Sequence, residues 1–203
     1  MDAQASLFAE APPPPEGPPG FRYQAQLITA AEEAGLAAWI ESLPLRPYEF
    51  QNFLAHRLVA AFGHRYDYGS RKLLDAQPLP PELLPLRRKV ARFAQRPEQD
   101  FVQAMVTRYD PGVPIGWHRD RPQFEVIAGV SLLAPAPLRL RLREGGRWRR
   151  CTREVAPRSA YLLQGEARTA WEHSIPPLPA LRCSITFRTL AAAGGSRGLR
   201  RKD

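Results

Sequence analysis

The spacing of hydrophobic and polar residues changes character along the chain. Leu36, Trp39, Ile40 and Leu43 recur at helical spacing behind Thr29 and Glu32, the two halves of a capping box, and predict an amphipathic helix packed on a core. Phe21 to Ile28 reads as a strand leading into it. Pro80-Pro81 opens a second helix, with Leu86, Val90 and Phe93 inward and Arg87, Arg88, Lys89 and Arg92 outward. Between the helices, residues 44–80 show little periodicity, many aromatic residues and several turn signals. From Phe101 to Leu190 the period falls to two, in short segments separated by Pro and Gly, which is the pattern of an antiparallel sandwich. Residues 9–20, with Pro12 to Pro15 and Pro18-Pro19, cannot form a packed element. The expected organisation is a disordered proline-rich tail over 1–20, one domain over 21–190 and a disordered basic tail over 191–203.

Two segments alternate most cleanly. Leu138 to Arg143 interleaves three leucines with Arg139, Arg141 and Arg143, and Arg147, Arg149, Arg150 and Arg153 follow at once. A strand with a wholly cationic outer face suits phosphate binding and equally suits a solvated edge kept from aggregating by charge. In Leu181 to Leu190, Leu181, Cys183, Ile185, Phe187 and Thr189 fall on one side and Arg182, Ser184, Thr186 and Arg188 on the other. An ordinary half-buried strand with its polar face in water accounts for this. So does a clamp: six residues span roughly 20 Å of strand, and two arginine stems leaning together leave a gap near that of a five-carbon dicarboxylate.

The chain has 203 residues, enough for one domain with a real core and too few for two comfortable ones. No apolar run approaches the length of a membrane helix, and the acidic, then proline-rich N-terminus lacks the features of a secretory signal. Cys151 and Cys183 read as reduced and structural, so a cytoplasmic monomer without membrane contact is expected. The net charge of +9 is compatible with nucleic acid, an acidic protein or general solubility.

The chemistry gathers around Trp117-His118-Arg119-Asp120 and, further on, His173. Two imidazoles and one carboxylate in this order are the ligand set of a non-haem Fe(II) oxygenase, which leaves open positions for substrate and O₂. His-x-Asp alone is a weak signal, and the two arginines of the later strand strengthen it. A metal triad beside a dicarboxylate clamp points to 2-oxoglutarate.

The series Tyr109-Asp110-Pro111-Gly112, His118-Arg119-Asp120, His173-Ser174-Ile175-Pro176 and Arg182-x-Ser184-x-Thr186-x-Arg188 resembles the AlkB family of Fe(II)/2-oxoglutarate-dependent dioxygenases over roughly residues 20–190. The resemblance implies a mainly β (α+β) fold, a double-stranded β-helix or jelly roll over 101–190 with N-terminal helices and a substrate-recognition lid over 44–80. It implies Fe(II) on His118, Asp120 and His173. Arg182, helped by Tyr109, would pair with the distal carboxylate of 2-oxoglutarate, and Arg188 with its iron-chelating end. Thr107 and Ser184 stand where the family carries Asn, and each can still donate one hydrogen bond to a carboxylate. The implied activity is oxidative demethylation of N-alkylated nucleobases in DNA, with O₂ as oxidant and succinate, CO₂ and formaldehyde released; RNA is the second polymer. Pro122 departs from the bacterial repair members, which carry an acid there, and keeps open a same-fold enzyme acting on tRNA or protein. A non-catalytic nucleic-acid-binding module is the remaining alternative, opposed by the intact triad and arginines.

Within the lid, Arg65, Tyr66 and Tyr68 head the residues suited to hold an unstacked base, a task that Tyr48, Phe50, Phe53 and Arg57 share; the same residues also suit a small hydrophobic subcore. His56 and His64 lack a carboxylate at metal spacing. Gln4, Leu7 and Phe8 resemble the short peptide that docks bacterial repair proteins on the sliding clamp, and are equally read as a chance match in a tail.

Overall fold

The computed structural model describes residues 17–50, 53–67, 72–75 and 77–191, without the side chains of 49–50, 53–55, 65–67 and 72–75. Gln4, Leu7, Phe8, Tyr68 and the basic tail beyond 191 lie outside the described residues, as do the side chains of Arg65 and Tyr66.

β1 (Phe21–Gln24) leads into α1 (Ala30–Ser42), and the capping box forms as the sequence predicts. Glu32 N donates to Thr29 Oγ1 at 3.2 Å and Thr29 N to Glu32 Oε2 at 2.8 Å, satisfying two amides that a bare helix end would leave open. β2 (Arg46–Phe50), β3 (Phe53–Phe62), β4 (His64–Asp67) and β5 (Lys72–Asp75) follow. The stretch expected to be irregular is therefore largely strand. Its pattern is blurred because β2 is a sheet edge, paired to β3 across a register shift between Pro47 and Tyr48. α2 (Leu84–Ala94) starts after a short 3₁₀ turn at Pro81–Leu83 and ends at Gln95 in the left-handed conformation, φ 57°.

The sandwich comprises β6 (Phe101–Tyr109), β7 (Ile115–His118), β8 (Phe124–Leu132), β9 (Ala136–Glu144), β10 (Arg147–Val155) and β11 (Ala160–Leu163), then α3 (Gly165–Thr169), β12 (Glu172–Ile175) and β13 (Arg182–Leu190). The larger sheet runs β1-β11-β8-β13-β6-β3-β2, the smaller β10-β9-β12-β7, and β4-β5 is a separate hairpin. All paired strands are antiparallel. The architecture is the double-stranded β-helix with helical cover.

Two cores stabilise it. Outside the larger sheet, Leu36 and Ile40 of α1 and Val90 and Phe93 of α2 pack on Val106, Ile185 and Phe187. Between the sheets, Ile127, Leu138, Leu140, Val155 and Trp171 form the second. β13 contributes Cys183, Ile185 and Phe187 to the first core alone, so its apolar side faces the helices and its polar side turns into the sandwich. The polar face of this strand is therefore not turned to water, as an ordinary half-buried strand would have it. It is buried, with Arg182 only 1 % exposed.

Candidate metal and cosubstrate site

The pairing of β7 with β12 places His118 directly opposite His173, with ring centroids 4.2 Å apart. Asp120, two residues past His118, brings Oδ1 to 3.5 Å from His118 Nε2 and 3.6 Å from His173 Nε2. One donor atom from each of the three lies within 4.8 Å of the others, the one such group of three among the described residues. Donors about 2.1 Å from a shared ion at right angles stand roughly 3 Å apart, so these spacings need little closure to bind a metal.

The surroundings prepare the ligands. His118 Nδ1 lies 2.8 Å from the Gly116 carbonyl, which can only accept, so the proton sits on Nδ1 and the Nε2 lone pair faces the cluster. Burial pushes the His173 imidazole down to about 3, and neighbouring His118 adds to this against Asp120, so it stays in the neutral, metal-binding form. Burial opposes ionisation of Asp120, yet Arg188 and the two histidines outweigh it and hold the carboxyl well below its usual range. Arg188 Nε donates to Asp120 Oδ2 at 2.8 Å and Nη1 to Gln103 Oε1 at 3.1 Å. Much of that guanidinium is thus engaged in fixing Asp120.

Arg182 is different. It lies at the far end of the same face, donates from Nε to Ser131 Oγ at 3.3 Å, and rests 5.2 Å from the Tyr109 ring centroid. Its Nη1 is buried with no hydrogen-bond partner among the described residues. Leaving such a donor unmade costs roughly 1–3 kcal/mol, and a carboxylate would satisfy it. β6 pairs with β13 so that Tyr109 flanks Arg182, Thr107 flanks Ser184 and Gln103 flanks Arg188. All six line one cavity of about 660 Å³ that is also lined by His118, Asp120 and His173, a size ordinary for a small-molecule site. The donor set and the unpartnered Nη1 of Arg182 fit Fe(II) and a dicarboxylate.

The sequence reading passed over Tyr161. It sits in a β11 run that is apolar throughout, yet its ring lies across the backbone of Gly129 and lines the cavity beside Arg182. Burial raises its phenol to about 12, against the pull of Arg182, so it is present as a hydrogen-bonding hydroxyl. The glycine opposite it on β8 is the signal a sequence reader could have used. The cavity is also lined by Tyr48, Arg57, Trp117, Arg119, Arg121 and Pro122, with Arg57 stacked 4.2 Å from the Tyr48 ring centroid. Arg65 and Tyr66 fall on the hairpin strand β4, whose His64 carbonyl accepts from Gln103 Nε2 at 2.6 Å. His56 and His64 belong to no metal-binding group among the described residues.

A family model described as the 2OG-Fe(II) oxygenase superfamily matches residues 27–188. The chain belongs to this superfamily. As a 2OG-Fe(II) oxygenase it is a dioxygenase using Fe(II), 2-oxoglutarate and O₂, and it is AlkB-like. It is 28 % identical to the "Alkylated DNA repair protein ALKBH8 homolog" of Arabidopsis thaliana over 182 residues, 78 % of this chain and 51 % of the relative. It is 30 % identical to mouse "tRNA (carboxymethyluridine(34)-5-O)-methyltransferase ALKBH8" over 173 residues, 79 % of this chain and 24 % of that one. This oxygenase thus spans about half and about a quarter of these curated relatives. The structure of OsALKBH1 shares its fold with a TM-score of 0.65 at 13 % identity, over 85 % of this chain and 97 % of that one. A Pseudomonas putida prolyl-4-hydroxylase shares it with a TM-score of 0.57 at 17 % identity, over 85 % and 93 % respectively.

Proposed function

We propose that this oxygenase removes N-alkyl groups from nucleobases by oxidation, with DNA as the first polymer to test and RNA the second. The observation that carries the reading is the cavity itself. His118, Asp120 and His173 share one cavity with planar Tyr48, Arg57 and Trp117, side chains suited to flank a base taken out of its stack. Outside, Arg139, Arg141, Arg143 and Arg150 share the exposed face of the smaller sheet. Arg141 lies 4.3 Å from the Trp117 ring centroid and 4.2 Å from that of Trp148, a cationic and aromatic surface adjoining the mouth. The relatives' names, one for alkylated DNA repair and one for a tRNA uridine, support a nucleic-acid substrate.

In this reading His118, Asp120 and His173 hold Fe(II). Arg182 receives the distal carboxylate of 2-oxoglutarate with Tyr109, Thr107 and Ser184 beside it, and Arg188 orients Asp120 next to the end that chelates the metal. When bound, Fe(II) and 2-oxoglutarate supply oxidation of a C–H bond by O₂, with succinate and CO₂ as co-products. The protein's share is to keep His173 neutral, fix the His118 tautomer and enclose the reacting end away from water. The N-hydroxymethyl product loses formaldehyde, leaving the unmodified base. Arg65, Tyr66 and Tyr68 would complete the lid, and Gln4, Leu7 and Phe8 would dock the tail on a sliding clamp.

The test is anaerobic loading with Fe(II) and 2-oxoglutarate, then oxygen, with methylated DNA and RNA oligonucleotides and histone peptides. Formaldehyde and demethylated base from an oligonucleotide are expected; turnover of peptide alone would overturn the reading. Titration of a peptide of residues 1–15 against purified clamp, with Leu7→Ala/Phe8→Ala as control, tests the docking.

A further inference from the structure

The three side chains of the cluster are not held alike. His118 and His173 face each other across the β7–β12 ladder, but β7 ends at His118 and β8 begins at Phe124, so Asp120 stands outside the strand pairing. Arg188 fixes its carboxylate through Oδ2, leaving Oδ1 for the histidines. The backbone beneath it is fixed from α3. Arg168 Nη2 donates to the Arg121 carbonyl, and Arg119 Nη1 donates back to the Ala170 carbonyl at 3.3 Å. The two bonds run in opposite directions between the same two segments, and they tie the residues on either side of Asp120.

α3 is a firm base for this clasp. Ala167 and Trp171 are buried in the core between the sheets, and Trp171 Nε1 donates to Glu166 Oε1 at 3.0 Å. His173 comes two residues past Trp171, so one short segment carries both the clasp and the second histidine. Arg168 itself is buried, and its Nε has no hydrogen-bond partner among the described residues. Its acceptor already receives Phe124 N at 3.0 Å, which closes the 121–124 turn. A buried cation on one neutral acceptor is a costly way to tie a loop. What a guanidinium adds is reach and a rigid fork.

We propose that Arg168, with Arg119, is a positioning residue for the metal: the clasp sets how close Asp120 stands to His118 and His173, and so the affinity and geometry of Fe(II) binding. The inference rests on the reading in which these three side chains hold Fe(II), and it is independent of the polymer oxidised. Groups that hold a ligand without touching the ion act by removing its freedom to swing away.

Anaerobic titration gives the Fe(II) Kd, and Co(II), whose visible absorption follows its coordination geometry, gives a spectral signature. Urea unfolding of the metal-free protein reads the fold separately. Arg168→Met keeps a similar length without charge or donor, and is expected to raise the Fe(II) Kd roughly ten-fold or more and to alter the Co(II) spectrum. Arg168→Lys restores one donor on a shorter stem and should recover part of both. Arg119→Met removes the exposed half of the clasp and should raise the Kd by about three-fold; it carries the test if Arg168→Met does not fold. The parent's Kd and spectrum in Arg119→Met and in the folded Arg168 variants would overturn the inference, whatever their urea midpoints. Asp120→Ala is the control: if it bound Fe(II) as the parent does, the ligand assignment would fail and the clasp with it.

Discussion

β9 and β13 are both nine-residue strands that set arginine against apolar residues, and they turn those arginines in opposite directions. Leu138 and Leu140 of β9 enter the core between the sheets, so Arg139, Arg141 and Arg143 face outward. Ile185 and Phe187 of β13 enter the core beneath the helices, so Arg182 and Arg188 face the interior of the sandwich. Alternation fixes that a segment is a strand with two unlike faces. Which face meets water depends on what covers the sheet, and here α1 and α2 decide it. An arginine driven inward must find an anion: Arg188 of β13 finds one in Asp120, just past β7, while Arg182 Nη1 has no hydrogen-bond partner among the described residues.

The sharpest way to break the contrast is to remove that anion. Asp120→Ala deletes a metal ligand and strands the buried Arg188 guanidinium. We expect no turnover, and a stability loss of about 3 kcal/mol or more in the metal-free protein, read by anaerobic Fe(II) titration and urea unfolding. An unchanged urea midpoint would show that the strand tolerates an unpaired interior arginine. The next effect concerns Arg182. Arg182→Lys keeps the charge but loses the fork, and should raise KM for 2-oxoglutarate by about ten-fold or more with a smaller change in kcat. A constant KM would return Arg182 to a purely structural role.

How far the sequence discloses this follows from the same contrast. α1 was legible because its capping box is local, and the metal residues because His118, Asp120 and His173 carry chemistry in their side chains wherever they fold. The polar face of β13 was ambiguous because its burial depends on helices dozens of residues away. The strands β2 and β3 were hidden by half-exposed, bulged edge pairing, and Tyr161 by an apolar run in which it looked like core. Local signals survive in the sequence; partners across a sheet do not.

On β9 the effects should be gentler. Arg141→Glu with Arg143→Glu should weaken binding to every oligonucleotide alike and reduce the slope of log K against log salt by about 2, with stability within roughly 0.5 kcal/mol of the parent apart from the lost Arg141–Glu172 contact of 2.7 Å. A flat salt response in parent and variant would assign those arginines to solvation alone. The smallest effect probes the apolar side of β13. Burial raises the Cys183 thiol to about 11, so at pH 8 only about one molecule in a thousand carries a thiolate. Because the rise disfavours the reactive form until pH approaches 11, Cys183 should resist alkylation at pH 8 in the native protein and react once unfolded, while half-buried Cys151 reacts earlier. Mass spectrometry of partially alkylated protein reads the order.

Gly129 has a consequence for how this enzyme can change. A methyl group there would come within 2.3 Å of the Tyr161 ring, and the glycine itself does not line the cavity. The breadth of the cavity beside Arg182 is therefore gauged from the wall behind it, by the presence or absence of a single carbon. Alanine at this position would tilt the phenol and reshape the space beside Arg182 without altering one charge or one metal ligand. The shape of that space can thus drift on its own, separately from the His118–Asp120–His173 group.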